Sequence, residues 1–149
     1  MYKKILIPLD NPVTDQAILT HIRPLARSSG AKLVLVHVAD GFGARFQEQL
    51  NLSDSEEIVN DRSYLETVAR EFESEGFSVS RHLLKGDPVK GIMNIAITEE
   101  CDLIAMATHG HRFLMDFLLG SVADSLRHKV DIPILMLRGT KAEDSSGKD

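Results

Sequence analysis

Cysteine is almost missing from this 149-residue chain, where Cys101 stands alone. A single cysteine excludes an internal disulfide and any cysteine-based metal cluster; it suits a reducing compartment, and the cytoplasm is the expected location. Positive charge is also sparse. Lys and Arg number 17 against 22 Asp and Glu, the formal net charge is −5, and the basic residues form no cluster. Nucleic acid and anionic membrane surfaces both demand a positive footprint, so neither is an expected partner. An acidic domain can still hold one phosphate chain through backbone N–H groups, which keeps small anionic ligands open. No stretch approaches the roughly 18 consecutive apolar residues of a membrane span. The opening MYKKILIPLD pairs lysines with apolar residues, but Pro8 and Asp10 break the run and no small-residue cleavage site follows, so it reads as a strand and not as a leader.

Several catalytic signatures are missing too. There is no Gly-Lys-Ser/Thr phosphate loop and no Gly-x-Ser-x-Gly nucleophile turn. A phosphoacceptor receiver would need clustered acids at the sheet edge and a lysine after the last strand; Asp10 alone, with Arg138-Gly139 closing the last strand, does not supply that set.

What is present is ordinary for one globular domain, with 43% hydrophobic and 26% charged residues, and the length allows a real core. Apolar runs alternate with helical patterns. Strands are expected at 4–10, 32–40, 76–86, 101–110 and 132–139, with helices at 15–29, 55–75, 87–100 and 120–130. Gly30 is a natural stop for the first helix, Pro24 predicts a kink or early break inside it, and Asp87-Pro88 is a strong start for the third. Residues 41–58 read as a long connection and 140–149 as a disordered polar tail, leaving 1–139 as the domain. Strands alternating with helices imply a parallel sheet covered on both faces by right-handed βαβ units. Ligands of such sheets sit beyond the carboxyl ends of the strands, which places Asp10, Val38, Gly86 and the stretch after the fourth strand at the candidate site.

That last stretch, MATHGHRFLMDFLLGSV (106–122), carries the most chemistry. Gly110 and Gly120 let backbone approach a ligand without a Cβ in the way. Gly120, Ser121 and Val122 open a helix whose first N–H groups carry partial positive charge suited to phosphate, although a serine there also serves as a simple N-cap.

MYKKILIPLD, LVLVHVAD, KGDPVKGIMNIAITEECDLIAMATHG and GSVADSLRHKVDIPILMLR together resemble the universal stress protein family over nearly the whole chain. The resemblance implies a doubly wound α/β fold, Rossmann-like, with five parallel strands in the order 3-2-1-4-5. Nucleotide-binding members carry glycine, two residues, glycine, nine residues, then glycine with serine or threonine. Gly110, Gly120 and Ser121 match this motif, and Ala107 stands at its first glycine. By resemblance, Asp10 faces the ribose or adenine, the main chain at Val38 meets adenine, and Gly110 lies against the ribose and phosphates, with Ala107, Thr108 and His109 among the binding residues beside it. Gly120, Ser121 and Val122 hold the phosphate chain. The implied cofactor is ATP or AMP, with Mg²⁺ accompanying ATP. If Ala107 needed a positive φ it would cost roughly 1 kcal/mol, whereas extended geometry would leave only a methyl to accommodate. Asn11-Pro12 departs from the family's small residues after the first strand, and Pro12 removes one donor.

His109 and His111, with His37 as a third, lack a carboxylate or cysteine at ligand spacing, so no metal site is assigned. Phe113, Leu114, Met115, Phe117 and Leu118 form an apolar loop that serves either as core lid or as contact surface. The last strand reads as an edge, and the family commonly dimerises there, so a homodimer through 132–138 is expected. The leading reading is a stress-response regulatory protein that binds ATP or AMP. Two alternatives stand beside it: a dimeric interaction scaffold that has lost nucleotide binding through Ala107 and Pro12, and a weak ATPase. No catalytic residue is assigned.

Overall fold

Unbroken apolar runs such as KILIPL can be buried only between two covered faces, and the first strand, β1 (Lys4–Leu9), is buried from its second residue onward. The computed structural model describes residues 1–39, 56–107 and 131–139, with 56–59 described by their backbone alone. After β1 come α1 (Gln16–Ser29), β2 (Lys32–Ala39), α2 (Glu56–Ser74), β3 (Val79–Lys85), α3 (Pro88–Thr98), β4 (Leu103–Ala107) and β5 (Ile134–Leu137). Residues 56–58 of the expected long connection already belong to α2, and the rest of it, the 108–130 segment in which a fourth helix is expected, and the 140–149 tail lie outside the described residues.

All five strands pair in parallel, in the order β3-β2-β1-β4-β5. Successive side chains of β1 point to opposite faces and meet different helices. Ile5, Ile7 and Leu9 pack with Ile18 and Ile22 of α1 and with Leu65 and Phe72 of α2. Leu6 joins Val34, Val36 and Val38 of β2 against Val89 and Ile92 of α3. Each such side chain, fully buried, contributes about 1.5–3 kcal/mol. The sheet is therefore covered on both faces, with β3 and β5 at its edges. From β1 the chain steps outward through β2 and β3, then returns to place β4 on the other side of β1, so the strand order reverses between β1 and β4.

Local signals set the helix ends. Gly30 adopts a left-handed conformation, φ 67°, and the Ala31 N–H donates to the Ala26 carbonyl at 3.0 Å, closing α1. The Asp87 carboxylate accepts the Val89 N–H at 3.1 Å, with Pro88 in the first turn of α3. The expected break at Pro24 does not occur, since α1 continues through it to Ser29. Proline removes one helical hydrogen bond and costs about 3 kcal/mol in a free helix. Here Ile18 and Ile22 before it and Ala26 after it are all buried on one face. Arg23 also donates to the Leu19 carbonyl at 2.8 Å and reaches Glu75 at 3.0 Å. Packing on both sides of the proline outweighs the lost bond.

Candidate functional site

The strand order reverses between β1 and β4, and doubly wound sheets hold their ligands at the carboxyl ends of the strands beside such a reversal. Asp10 follows the last residue of β1, and Ala107 is the last residue of β4. Val38 lies near the end of β2, one residue past the His37 that pairs with Leu9. Three sequence-predicted site residues thus come together on three adjacent strands. Thr108, His109, Gly110, Gly120, Ser121 and Val122 lie outside the described residues.

Ala107 belongs to β4 and pairs with Leu137 of β5. Among the described residues Glu100 is the one non-glycine with positive φ, so Ala107 has ordinary extended geometry. Its methyl needs space but imposes no backbone strain. Val38 is held from the side by α3. A Cβ on Gly91 would stand 3.1 Å from the Leu84 side chain and 3.7 Å from Val38, so glycine there lets the helix lie close on β2 and β3.

The turn after Asp10 is closed on itself. The Asn11 side-chain oxygen accepts the Val13 and Thr14 N–H groups at 3.1 and 2.8 Å, and the Asn11 carbonyl accepts the Asp15 N–H at 3.1 Å. These amides are therefore engaged within the turn, and Pro12 has none to offer.

Beside Asp10, at the carboxyl ends of β1 and β2, lies a buried polar cluster that sequence reasoning missed. Asp15 precedes α1 at the N-cap position, yet its side chain makes no capping bond. Instead its Oδ2 accepts the Asp10 N–H at 2.7 Å and the Tyr64 hydroxyl of α2 at 2.8 Å. Asp15 has 0% exposure and Asp10 5%. Burial pushes the Asp15 carboxyl up to about 7, and the charge of Asp10 adds to the rise. The Tyr64 hydroxyl, the Asp10 N–H and His37 act in the opposite direction. Burial, followed by the Asp15 charge and hydrogen bond, holds the Tyr64 phenol far above its usual range, so it remains a donor.

His37, at 4% exposure, links β2 to both neighbours. Its Nδ1 lies 2.8 Å from the Leu9 carbonyl oxygen, and its Nε2 lies 3.2 Å from Asp61 Oδ2 on α2. A carbonyl can only accept, so Nδ1 carries a proton. Both ring nitrogens are thus engaged by protein groups, which turns His37 away from the ligand role weighed for it beside His109 and His111. The sequence signal for this cluster was slight: an Asp before a helix usually caps it, and the partners at 61 and 64 come from a distant helix.

Residues 1–138 match the universal stress protein family. Universal stress protein MJ0577 of Methanocaldococcus jannaschii is 29% identical over 155 residues, covering 93% of this chain and 96% of the relative. A solved structure of hypothetical protein MJ0577 superposes with a TM-score of 0.72 at 29% identity, covering 95% of this chain and 99% of its own. Two more distant structures share the fold. The universal stress protein from Archaeoglobus fulgidus in complex with dAMP has a TM-score of 0.63 at 20% identity, covering 92% and 98% of the two chains. A universal stress protein in complex with cAMP has a TM-score of 0.60 at 17% identity, covering 93% and 98%.

Proposed function

The chain belongs to the universal stress protein family, and on that premise we propose that it is a stress-response regulatory protein that binds an adenine nucleotide, ATP or AMP, at the carboxyl edge of the sheet. The observation that carries this reading is the placement of Asp10 and Ala107 on the two strands that flank the topological switch point, with Ala107 in extended backbone. An alanine in that geometry differs from glycine by one methyl and not by a forbidden conformation. Relatives in complex with dAMP and cAMP add support.

The described residues suit the adenosine half of the ligand. Asp10 offers a carboxylate for hydroxyl or amino hydrogens, and Val38 offers main chain at the strand end. The Asn11–Asp15 turn keeps its own amides engaged, so phosphate binding falls to the motif residues Gly110, Gly120, Ser121 and Val122, with Thr108 and His109 beside them. Calorimetric titration of nucleotide-stripped protein with ATP-Mg²⁺ and with AMP, beside Gly120→Val, tests this directly. Micromolar heats that disappear in the variant support the reading, and silence from folded wild-type protein overturns it.

The protein acts as a homodimer joined through 132–138. Support comes from β5, which lies at the sheet edge with Met136 43% exposed. The cytoplasm is the proposed compartment, and Cys101 fits it as a buried free thiol that burial pushes up to about 11. No described helix is long and apolar enough to cross a membrane. The same closed Asn11 turn favours a second reading, a dimeric scaffold that no longer holds nucleotide. A dimer in sedimentation that gives no nucleotide heat would select it.

A further inference from the structure

Asp15 is an unusual group to bury beside the proposed nucleotide site. A carboxylate can accept about four hydrogen bonds, yet only Oδ2 of Asp15 accepts any, from Asp10 and Tyr64. Oδ1 is buried and has no hydrogen-bond partner. The negative form is thus poorly supported, and the charge of a second acidic residue, Asp10, whose main-chain N–H donates to it, disfavours it further. We propose that Asp15 is a positioning residue for Asp10, and that filling the nucleotide site is coupled to proton uptake at Asp15. This rests on the function proposed above and concerns the regulation of that same site.

The direction of coupling follows from charge. Ligand hydrogens donated to the Asp10 carboxylate hold negative charge at Asp10, and the phosphates bring more. Both disfavour a second negative charge at Asp15, which takes its proton from the buffer. Neutral Asp15 still presents an oxygen to the Asp10 N–H, so the main chain at Asp10 stays in place. Among the described residues, the groups that act on Asp15 are Asp10 from β1, His37 from β2 and Tyr64 from α2. Asp61 pairs with His37, and Glu71 acts on Tyr64 from the same helix.

Burial places the Asp15 carboxyl at about 7, so half of the free protein is in the binding-favoured state at pH 7. That fraction falls to about one tenth at pH 8, which weakens the apparent affinity about fivefold. The experiment is calorimetric titration of AMP at pH 6, 7 and 8, with pH 7 repeated in phosphate and in Tris, whose ionisation heats differ. Wild type should take up about half a proton at pH 7 and lose about fivefold in affinity from pH 7 to 8. The phosphate of AMP titrates near pH 6 with every variant, so the readout is the difference between proteins. Asp15→Asn should abolish the proton uptake and flatten the affinity between pH 7 and 8. Tyr64→Phe removes a donor that favours charged Asp15, so the pH at which affinity falls should move upward; a purely structural Tyr64 would lower affinity at every pH alike. Should Asp15→Asn fail to fold, the Tyr64→Phe shift decides. Binding without a buffer dependence, or an unchanged pH slope in Asp15→Asn, overturns the coupling alone. Absence of AMP and ATP heats in wild type overturns the proposed function, and the coupling with it.

Discussion

At the amino ends of the strands, Asp102 accepts the Lys3 and Lys4 N–H groups at 2.8 and 3.0 Å, and Lys4 Nζ donates to the Glu99 carbonyl at 2.9 Å. Nearby, Glu75 pairs with Arg23 and Arg27 at 3.0 and 3.6 Å. These groups keep contact with water, and each has its partners. At the carboxyl ends of the same strands, Asp15 is sealed from water with one bare oxygen, and His37 is clamped between a carbonyl and a carboxylate. One end ties strands together at low electrostatic cost. The other holds charge where charge is disfavoured. Buried, incompletely satisfied polar groups cost free energy, and proteins keep them chiefly where binding or switching needs them. The contrast marks the carboxyl end as the place where carboxyl groups are held out of water.

The contrast can be broken or sharpened by substitution. The largest effect is expected from the packing that underlies the amino end. Phe72 is fully buried, meets Phe77 edge-on at 5.6 Å between ring centroids, and lies under the Arg23 guanidinium at 4.5 Å. Phe72→Ala should lower stability by about 3–5 kcal/mol, read from the urea midpoint.

Next comes Asp15→Asn, with the opposite sign at high pH. Folding raises the Asp15 carboxyl from 3.8 to about 7, so the native state binds more protons between those values. The contribution of Asp15 is fully present below the lower value and is lost as pH rises to the upper one. Relative to wild type, Asp15→Asn should gain a few kcal/mol, on the order of the linkage expected for such a shift, between pH 4 and pH 8. A variant that is weaker by a constant amount at every pH would remove the electrostatic half of the contrast.

A smaller loss, about 1–3 kcal/mol, is expected for Asp102→Ala, which leaves two strand N–H groups without their acceptor. Nucleotide affinity should be untouched, because the proposed site lies at the other end of the sheet. Smallest of all is Glu75→Gln. Its ion pairs are partly exposed, so the loss should stay under about 1 kcal/mol and shrink further in added salt.

Much of the fold was legible because its signals are local. The continuous apolar run of β1 announces burial on both faces, Gly30 marks a left-handed helix end, and Asp87-Pro88 marks a helix start. Of the kink or early break expected at Pro24, the break does not occur: a local rule for isolated helices was overruled by the packing of Ile22 and Ala26. The strand-end places of Asp10, Val38 and Ala107 were legible from where the apolar runs stop. Asp15, Tyr64 and Asp61 were not. Asp15 and Tyr64 are 49 residues apart in sequence, and nothing in either neighbourhood indicates that α1 and α2 lie side by side on one face of the sheet.

The sequence by itself determined the alternation of strands and helices, the parallel sheet that follows from it, and membership of the universal stress protein family. These depend on periodicity, caps and turn residues, which act over a few positions along the chain. Only the tertiary structure decided that Ala107 is extended and unstrained, that the Asn11 turn keeps its amides to itself, and that Asp15 faces inward beneath Asp10. A backbone angle inside a sheet depends on the strands beside it. The proton affinity of a carboxyl depends on what excludes water from it, and both kinds of neighbour arrive from distant parts of the chain.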